Sequence, residues 1–125
     1  MKQTFKKKER LKSRKDIEGL MKGGRSINVT PIKMIWKEEE RTGTIPAKAT
    51  VTVSKKNFKR AVDRNKLKRR MREAFRKNKQ ELVEHLLKKN KKINLMFIHV
   101  DKELSEYNLI ENSIIKTLEK LKASL

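Results

Sequence analysis

Ile93 to Val100, reading INLMFIHV, is almost wholly apolar in a chain that is 40% charged and only 35% hydrophobic. A run this short and this apolar has the composition of a strand covered on both faces, so it is expected to lie centrally in a sheet. Ala47 to Ser54 behaves differently: Ala49, Val51 and Val53 alternate with Thr50, Thr52 and Ser54, the two-residue period of a strand with one buried and one wet face. Ile27 to Thr30 reads as a short strand and Ile32 to Lys37 as a longer one, from their β-branched and aromatic residues. At 125 residues the chain is expected to form one domain, with a small core made feasible because its apolar residues are periodic and not scattered.

Helical signals separate these strands. Ser13 is positioned as an N-cap with Asp16 in the first turn, Ile17, Leu20 and Met21 form a short apolar face, and Gly23-Gly24 ends the segment. Gly19 weakens that helix by roughly 1 kcal/mol relative to alanine, so its stability depends on packing. Glu81 to Lys92, with Leu82, Val83, Leu86 and Leu87, reads as an extension of the preceding helix or as a second helix after a kink. Near the C-terminus Ser105 is the expected N-cap, with Leu104 and Leu109 closing a hydrophobic staple, and Tyr107, Ile110, Ile114, Leu118 and Leu121 mark one face of a last helix.

The charge is concentrated in Ser54 to Gln80, where 13 Lys or Arg face two acids, Asp63 and Glu73, giving a net +11 of the chain's +20. Leu67, Met71, Ala74, Phe75 and Asn78 recur at helical spacing, the single buried stripe of a helix that is otherwise cationic. Arg60, Arg64, Lys68, Arg72 and Arg76 follow one another at i, i+4, an arrangement that destabilises an isolated helix by roughly 0.2–0.5 kcal/mol per like-charged pair. A helix that only needs to be soluble mixes its signs, so this one points to a polyanion. Its arginines can also grip phosphate bidentately. The sequence pI near 10.4 leaves nucleic acid or an anionic membrane surface as partner, and the helix lacks the wide Trp, Phe and Leu face that membrane binding uses. Residues 1–12 add six basic residues against Glu9, a basic and flexible arm of a kind usually disordered until it meets phosphate, here expected to be partly ordered through Phe5 and Leu11. Lys37 to Pro46, KEEERTGTIP, is expected as a polar hairpin loop whose acidic tip points away from any RNA.

Ser54-Lys55-Lys56, a polar spacer, and then Ala61 to Arg76 with Arg64-Asn65-Lys66 at the start of the basic helix resemble the signature of the bacterial ribonuclease P protein subunit. That family carries Arg-Asn-Arg at this point, so the third position here keeps its charge and loses the guanidinium fork. The resemblance implies a compact α+β sandwich in the order α-β-β-β-α-β-α, with a mixed four-stranded sheet and a left-handed βαβ crossover. It implies a function as the protein component of the ribonuclease P ribonucleoprotein, assisting endonucleolytic removal of the 5′ leader from precursor tRNA. By this resemblance Lys55, Lys56, Lys59, Arg60, Arg64, Asn65, Lys66, Lys68, Arg69, Arg70, Arg72 and Arg76 contact the catalytic RNA. A cleft for the substrate leader involves Ile17, Met21, Ile35, Thr50 and Thr52. Ile17, Met21 and Ile35 replace the Phe, Phe and Tyr common in the family, whose rings can each stack on a base for roughly 1–3 kcal/mol, and they read equally well as core. Thr50 stands where family members often carry glycine, and which sheet face forms the cleft is open.

The resemblance assigns catalysis to the RNA subunit and its Mg2+, with the protein alone inactive. The residues agree. His85 and His99 have no carboxylate partner at ligand spacing, His99 reads as a core or interfacial histidine, and no Gly-rich phosphate loop, nucleophile elbow or HExxH motif occurs. With no cysteine the chain has no disulfide or thiolate metal site. With no apolar run after its N-terminal lysines it is expected in the cytoplasm, without a membrane segment or an obligate protein partner. A ribosomal or other structural RNA-binding protein, and after it a DNA-binding helical module, share the same charge and size.

Overall fold

The computed structural model describes residues 5–41 and 43–125. Helix α1 (Arg14–Gly23) is followed by strands β1 (Arg25–Val29), β2 (Ile32–Glu38) and β3 (Ala47–Val53). Helices α2 (Ala61–Asn78) and α3 (Gln80–Lys89), strand β4 (Ile93–His99) and helix α4 (Tyr107–Ser124) complete the chain. This is the expected α-β-β-β-α-β-α order with its central helix broken in two at Lys79. The expected alternative of a second helix after a kink is the one that forms.

The four strands lie in the order β1-β2-β4-β3, with β4 antiparallel to β2 and parallel to β3. The near-continuous apolar strand is therefore internal, as its composition requires. This order corrects the expected hairpin over 37–46. Strand β4 is inserted between β2 and β3, so the connection spans a gap and is held by side chains. The Arg41 guanidinium donates to the carbonyls of Ile45 (3.0 Å) and Ile93 (3.1 Å) and to Asn94 Oδ1 (2.6 Å), while Lys92 Nζ donates to the Arg41 carbonyl at 2.8 Å.

The hand of the crossover follows from chirality. Ile93 points its side chain into the layer of α2 and donates its N–H to the carbonyl of Pro46, just before β3, at 2.8 Å. Viewed with that layer in front and β4 running upward, an L-residue whose side chain faces the viewer directs its N–H to the right. Strand β3 therefore lies to the right of β4, and the path from β3 through α2 in front to β4 steps leftward. The crossover is left-handed, against the strong right-handed preference.

Two layers cover the sheet unequally. On the front, Leu67, Met71, Ala74 and Phe75 of α2, Leu82 and Leu86 of α3, and Ile110, Ile114, Leu118 and Leu121 of α4 enclose Ile32, Met34, Trp36, Ala49, Val51, Ile93, Leu95 and Phe97. On the back, α1 lies across β2 and β4 with Leu20 on Ile35 and Met96. The back of β3, carrying Lys48, Thr50 and Thr52, is left half-exposed. Serine 13 caps α1 as expected, accepting from the Asp16 N–H. Gly24 ends it where a Cβ would stand 2.4 Å from the Leu20 carbonyl and 2.5 Å from Ile35 Cγ2. Gly24→Ala is expected to push α1 off the sheet at a cost of about 1–3 kcal/mol, read as a lower thermal midpoint and a perturbed Ile35 methyl resonance; an unchanged midpoint would contradict this packing.

From Phe5 onward the N-terminal segment lies along the outer edge of β3. Leu11 N–H donates to the Ala49 carbonyl at 2.9 Å, Phe5 sits edge-on to Phe75 at 5.5 Å, and Glu9 pairs with Lys79. The first four residues of the basic arm lie outside the described residues.

The start of α4 differs from expectation. Its N-cap is Glu106, which makes no side-chain capping bond, and Leu109 is exposed, so no staple forms. Ser105 is used otherwise. Its hydroxyl lies 2.9 Å from Nε2 of the fully buried His99, whose ring meets Phe58 edge-on at 5.5 Å. Burial holds the His99 imidazole below its ordinary pKa, opposed by the charge of Asp101. A buried imidazole needs a polar partner more than a helix end in contact with water needs a cap.

Candidate nucleic-acid interface

Helix α2 runs back across the front of the sheet from the end where β3 and β4 finish. Its stripe of Leu67, Met71, Ala74 and Phe75 is buried, and Asn78, half-buried, continues it by donating to the Ala74 carbonyl and Glu111. That orientation turns the remaining faces outward. Lys55, Lys56, Lys59 and Arg60 of the preceding loop and Asn65, Lys66, Arg69 and Arg72 of the helix are all exposed. Among the described residues, none of the cations from Lys55 to Arg72 forms an ion pair with an acid. Fields from cations without acid partners on a loop and the helix that follows it add, the electrostatic footprint expected of a polyanion site.

The acids of the β2–β3 connection are kept away by topology. Glu38, Glu39 and Glu40 sit where β2 leaves the sheet, beside Ile93 and Ala47, while Lys55 to Arg60 follow Val53 at the other end of β3. Seven strand residues separate the two ends by about 20 Å, roughly two screening lengths at physiological salt.

Three arginines expected on this surface are turned partly inward. Arg64, three residues before the buried Leu67, donates from Nη1 to the carbonyls of Phe58 (2.7 Å) and Lys59 (2.8 Å). Arg70, three residues after Leu67, donates to the Ser105 carbonyl at 2.5 Å. Arg76 pairs with Glu73 at 2.5 Å, which lowers the Glu73 pKa and raises that of Arg76. Lys68 is half-buried on the same flank as Arg64. A cation that the sequence did not single out joins the surface: Arg10, whose guanidinium lies 5.3 Å from the Phe5 ring. The Arg72 guanidinium is held below its ordinary pKa, first by partial burial and then by the charge of Arg10. Arg10 was hidden in the basic run of the arm, since only the docking of that arm on β3 brings it to α2.

The five residues expected in a leader cleft fall on the back of the sheet and on α1. Thr50 and Thr52 are half-exposed on β3, with Leu11 walling the outer side. Ile35 is only 7% exposed beneath α1, Ile17 is half-buried at the rim of that cluster, and Met21 is 58% exposed. The face that carries the threonines is thus the one α1 leaves partly open. Lys33 and Ile98, cross-strand neighbours in the row of Thr52, extend it.

A cationic surface on a helix reached by a left-handed crossover, above a sheet half-covered on its other side, is a specific combination. The model of the ribonuclease P family matches residues 5–122. The chain belongs to the ribonuclease P protein family. Among curated relatives, the ribonuclease P protein component of Porphyromonas gingivalis is 32% identical over 112 residues, covering 90% of this chain and 82% of that one. That of Chlorobium phaeobacteroides is 34% identical over 82 residues, 63% of this chain and 56% of its own. The fold is that of the solved ribonuclease P proteins of Thermotoga maritima (TM-score 0.68, 22% identity, 89% of this chain and 96% of that one) and Staphylococcus aureus (0.62, 24%, 90% and 93%). Among the described residues no three His, Asp or Glu side chains converge to hold a metal, and no helix is long and apolar enough to cross a membrane.

Proposed function

We propose that this chain is the protein component of a ribonuclease P ribonucleoprotein, binding the catalytic RNA through the Lys55–Arg60 loop and the outward face of α2. The single observation that carries this reading within the family is the run of unpaired cations from Lys55 to Arg72, set about 20 Å from the acidic loop. Neutralised phosphates let catalytic RNA and precursor tRNA, both polyanions, approach each other. The half-open back of β3, with Thr50 and Thr52, receives the 5′ leader, and Lys33 and Lys48 lie on the same face to meet its phosphates. In this reading hydrolysis belongs to the RNA and to Mg2+ held by RNA phosphates, and the protein's part is to bind and position. The expected compartment is that of tRNA maturation, the bacterial cytoplasm.

A leader site discriminates substrate from product because only the precursor has a leader. In a holoenzyme reconstituted from this chain and a bacterial catalytic RNA, precursor tRNA is expected to bind about 10-fold more tightly than mature tRNA, the worth of one or two net hydrogen bonds of about 1 kcal/mol each. Equal affinities, measured by filter binding in Ca2+ to suppress cleavage, would remove the leader site and leave an RNA-binding role alone.

A further inference from the structure

Lys55, Lys56, Lys59 and Arg60 form the least regular part of the cationic surface, yet the loop that carries them is held at several points. Ser54 Oγ accepts from the Lys56 N–H at 3.2 Å, and the Phe58 N–H donates to the Ser54 carbonyl at 3.1 Å. The Phe58 ring is buried against His99. The last bond before the helix is made by Arg64, one turn inside α2, whose Nη1 takes the carbonyls of Phe58 and Lys59 together at 2.7 and 2.8 Å. Holding two successive carbonyls on one guanidinium fixes two peptide planes, and the side chains of Lys59 and Arg60 that flank them are both exposed. The N-cap position, Arg60, makes no side-chain capping bond, so no cap secures this turn in place of Arg64.

We infer that Arg64 is a positioning residue: it acts on RNA through the loop it braces, setting Lys55, Lys56, Lys59 and Arg60 in register with one phosphate backbone, more than through a phosphate contact of its own. Half-buried on the flank of α2 nearest the core stripe, it stands on the opposite side of the helix from Arg69. The inference rests on the reading that this chain binds the catalytic RNA.

A salt titration separates bracing from contact, because each phosphate contact contributes about one to the slope of log affinity against log salt. The full chain, Arg64→Ala, the loop variant Lys55→Ala/Lys59→Ala/Arg60→Ala, and the combination are titrated with bacterial catalytic RNA, with thermal midpoints recorded alongside. Bracing predicts that Arg64→Ala lowers the slope by about 2 or more, and weakens binding about 100-fold in the intact chain but under about 2-fold when the loop cations are already gone. A direct contact predicts a fall of about one and the same loss in both backgrounds, which would overturn the inference. Should Arg64→Ala not fold, Arg64→Met keeps the aliphatic stem without the donors and carries the same comparison. If the unaltered chain does not bind the RNA, the functional reading falls and this inference with it; if it binds and the two losses add, the inference alone falls.

Discussion

Replacing Phe75 by alanine is expected to lower the thermal midpoint by about 10–20 °C, from about 3–5 kcal/mol of lost burial and cavity formation at roughly 3–5 °C per kcal/mol. The side chain is 2% exposed, packs at 5.4 Å against Phe97 of β4 and at 5.5 Å against Phe5, and so joins α2, the sheet and the N-terminal segment. Because a domain of this size is stable by only about 5–15 kcal/mol, the loss is a large fraction of the whole. The N-terminal segment should also loosen, since Phe5 provides the ring that Arg10 and Lys79 approach at 5.3 and 5.7 Å. Hydrogen exchange at the Leu11 amide, bonded to the Ala49 carbonyl, reports that loosening. A midpoint within about 3 °C of the parent would show that the site collapses around the gap and that Phe75 does not join the three elements.

The second large effect is on binding. Changing Lys66, Arg69 and Arg72 together to alanine is expected to weaken binding of catalytic RNA by about 100- to 1000-fold and to lower the salt slope by about 2–3, three phosphate contacts at 0.7–0.9 each. All three residues are exposed and make no ion pair among the described residues, with only the Arg72 guanidinium partly buried, so the folded state loses little by their removal. Stability should hold or rise slightly, because Lys66, Arg69 and Arg72 stand at i, i+3 spacing and repel one another by roughly 0.2–0.5 kcal/mol per pair. Binding that falls while the thermal midpoint does not is the mark of a surface kept for a partner. An unchanged slope would move the RNA site elsewhere on the molecule.

Much of this was legible because it depends on local spacing. The stripe of Leu67, Met71, Ala74 and Phe75, the alternation in β3, and the Ser13 cap of α1 are set by residues three or four positions apart, or two apart in the strand. The density of cations told of a polyanion before any fold was known. The destination of individual long side chains did not follow. Arg64, Arg69 and Arg70 are alike in sequence, but an arginine reaches several ångströms, and its partner is whichever carbonyl the fold brings within that reach. Arg64 finds Phe58 and Lys59, Arg70 finds Ser105, and Arg69 is left to solvent. Ser105 carried a clear capping signal and was drawn away from it by a histidine six residues earlier.

Taken by itself, the order of residues determined that α2 would be a one-sided basic helix, that Ile93–His99 would be buried on both faces, and that a ribonuclease P protein was the family to expect. Tertiary structure decided the rest: that β4 enters between β2 and β3 by a left-handed crossover, that α1 covers only part of the back of the sheet, and that the acids of the β2–β3 connection lie a strand's length from the cationic loop. Periodicity is written within a segment, whereas strand order, hand and the distance between charges depend on which segments meet. That is fixed by burying all the apolar stripes at once.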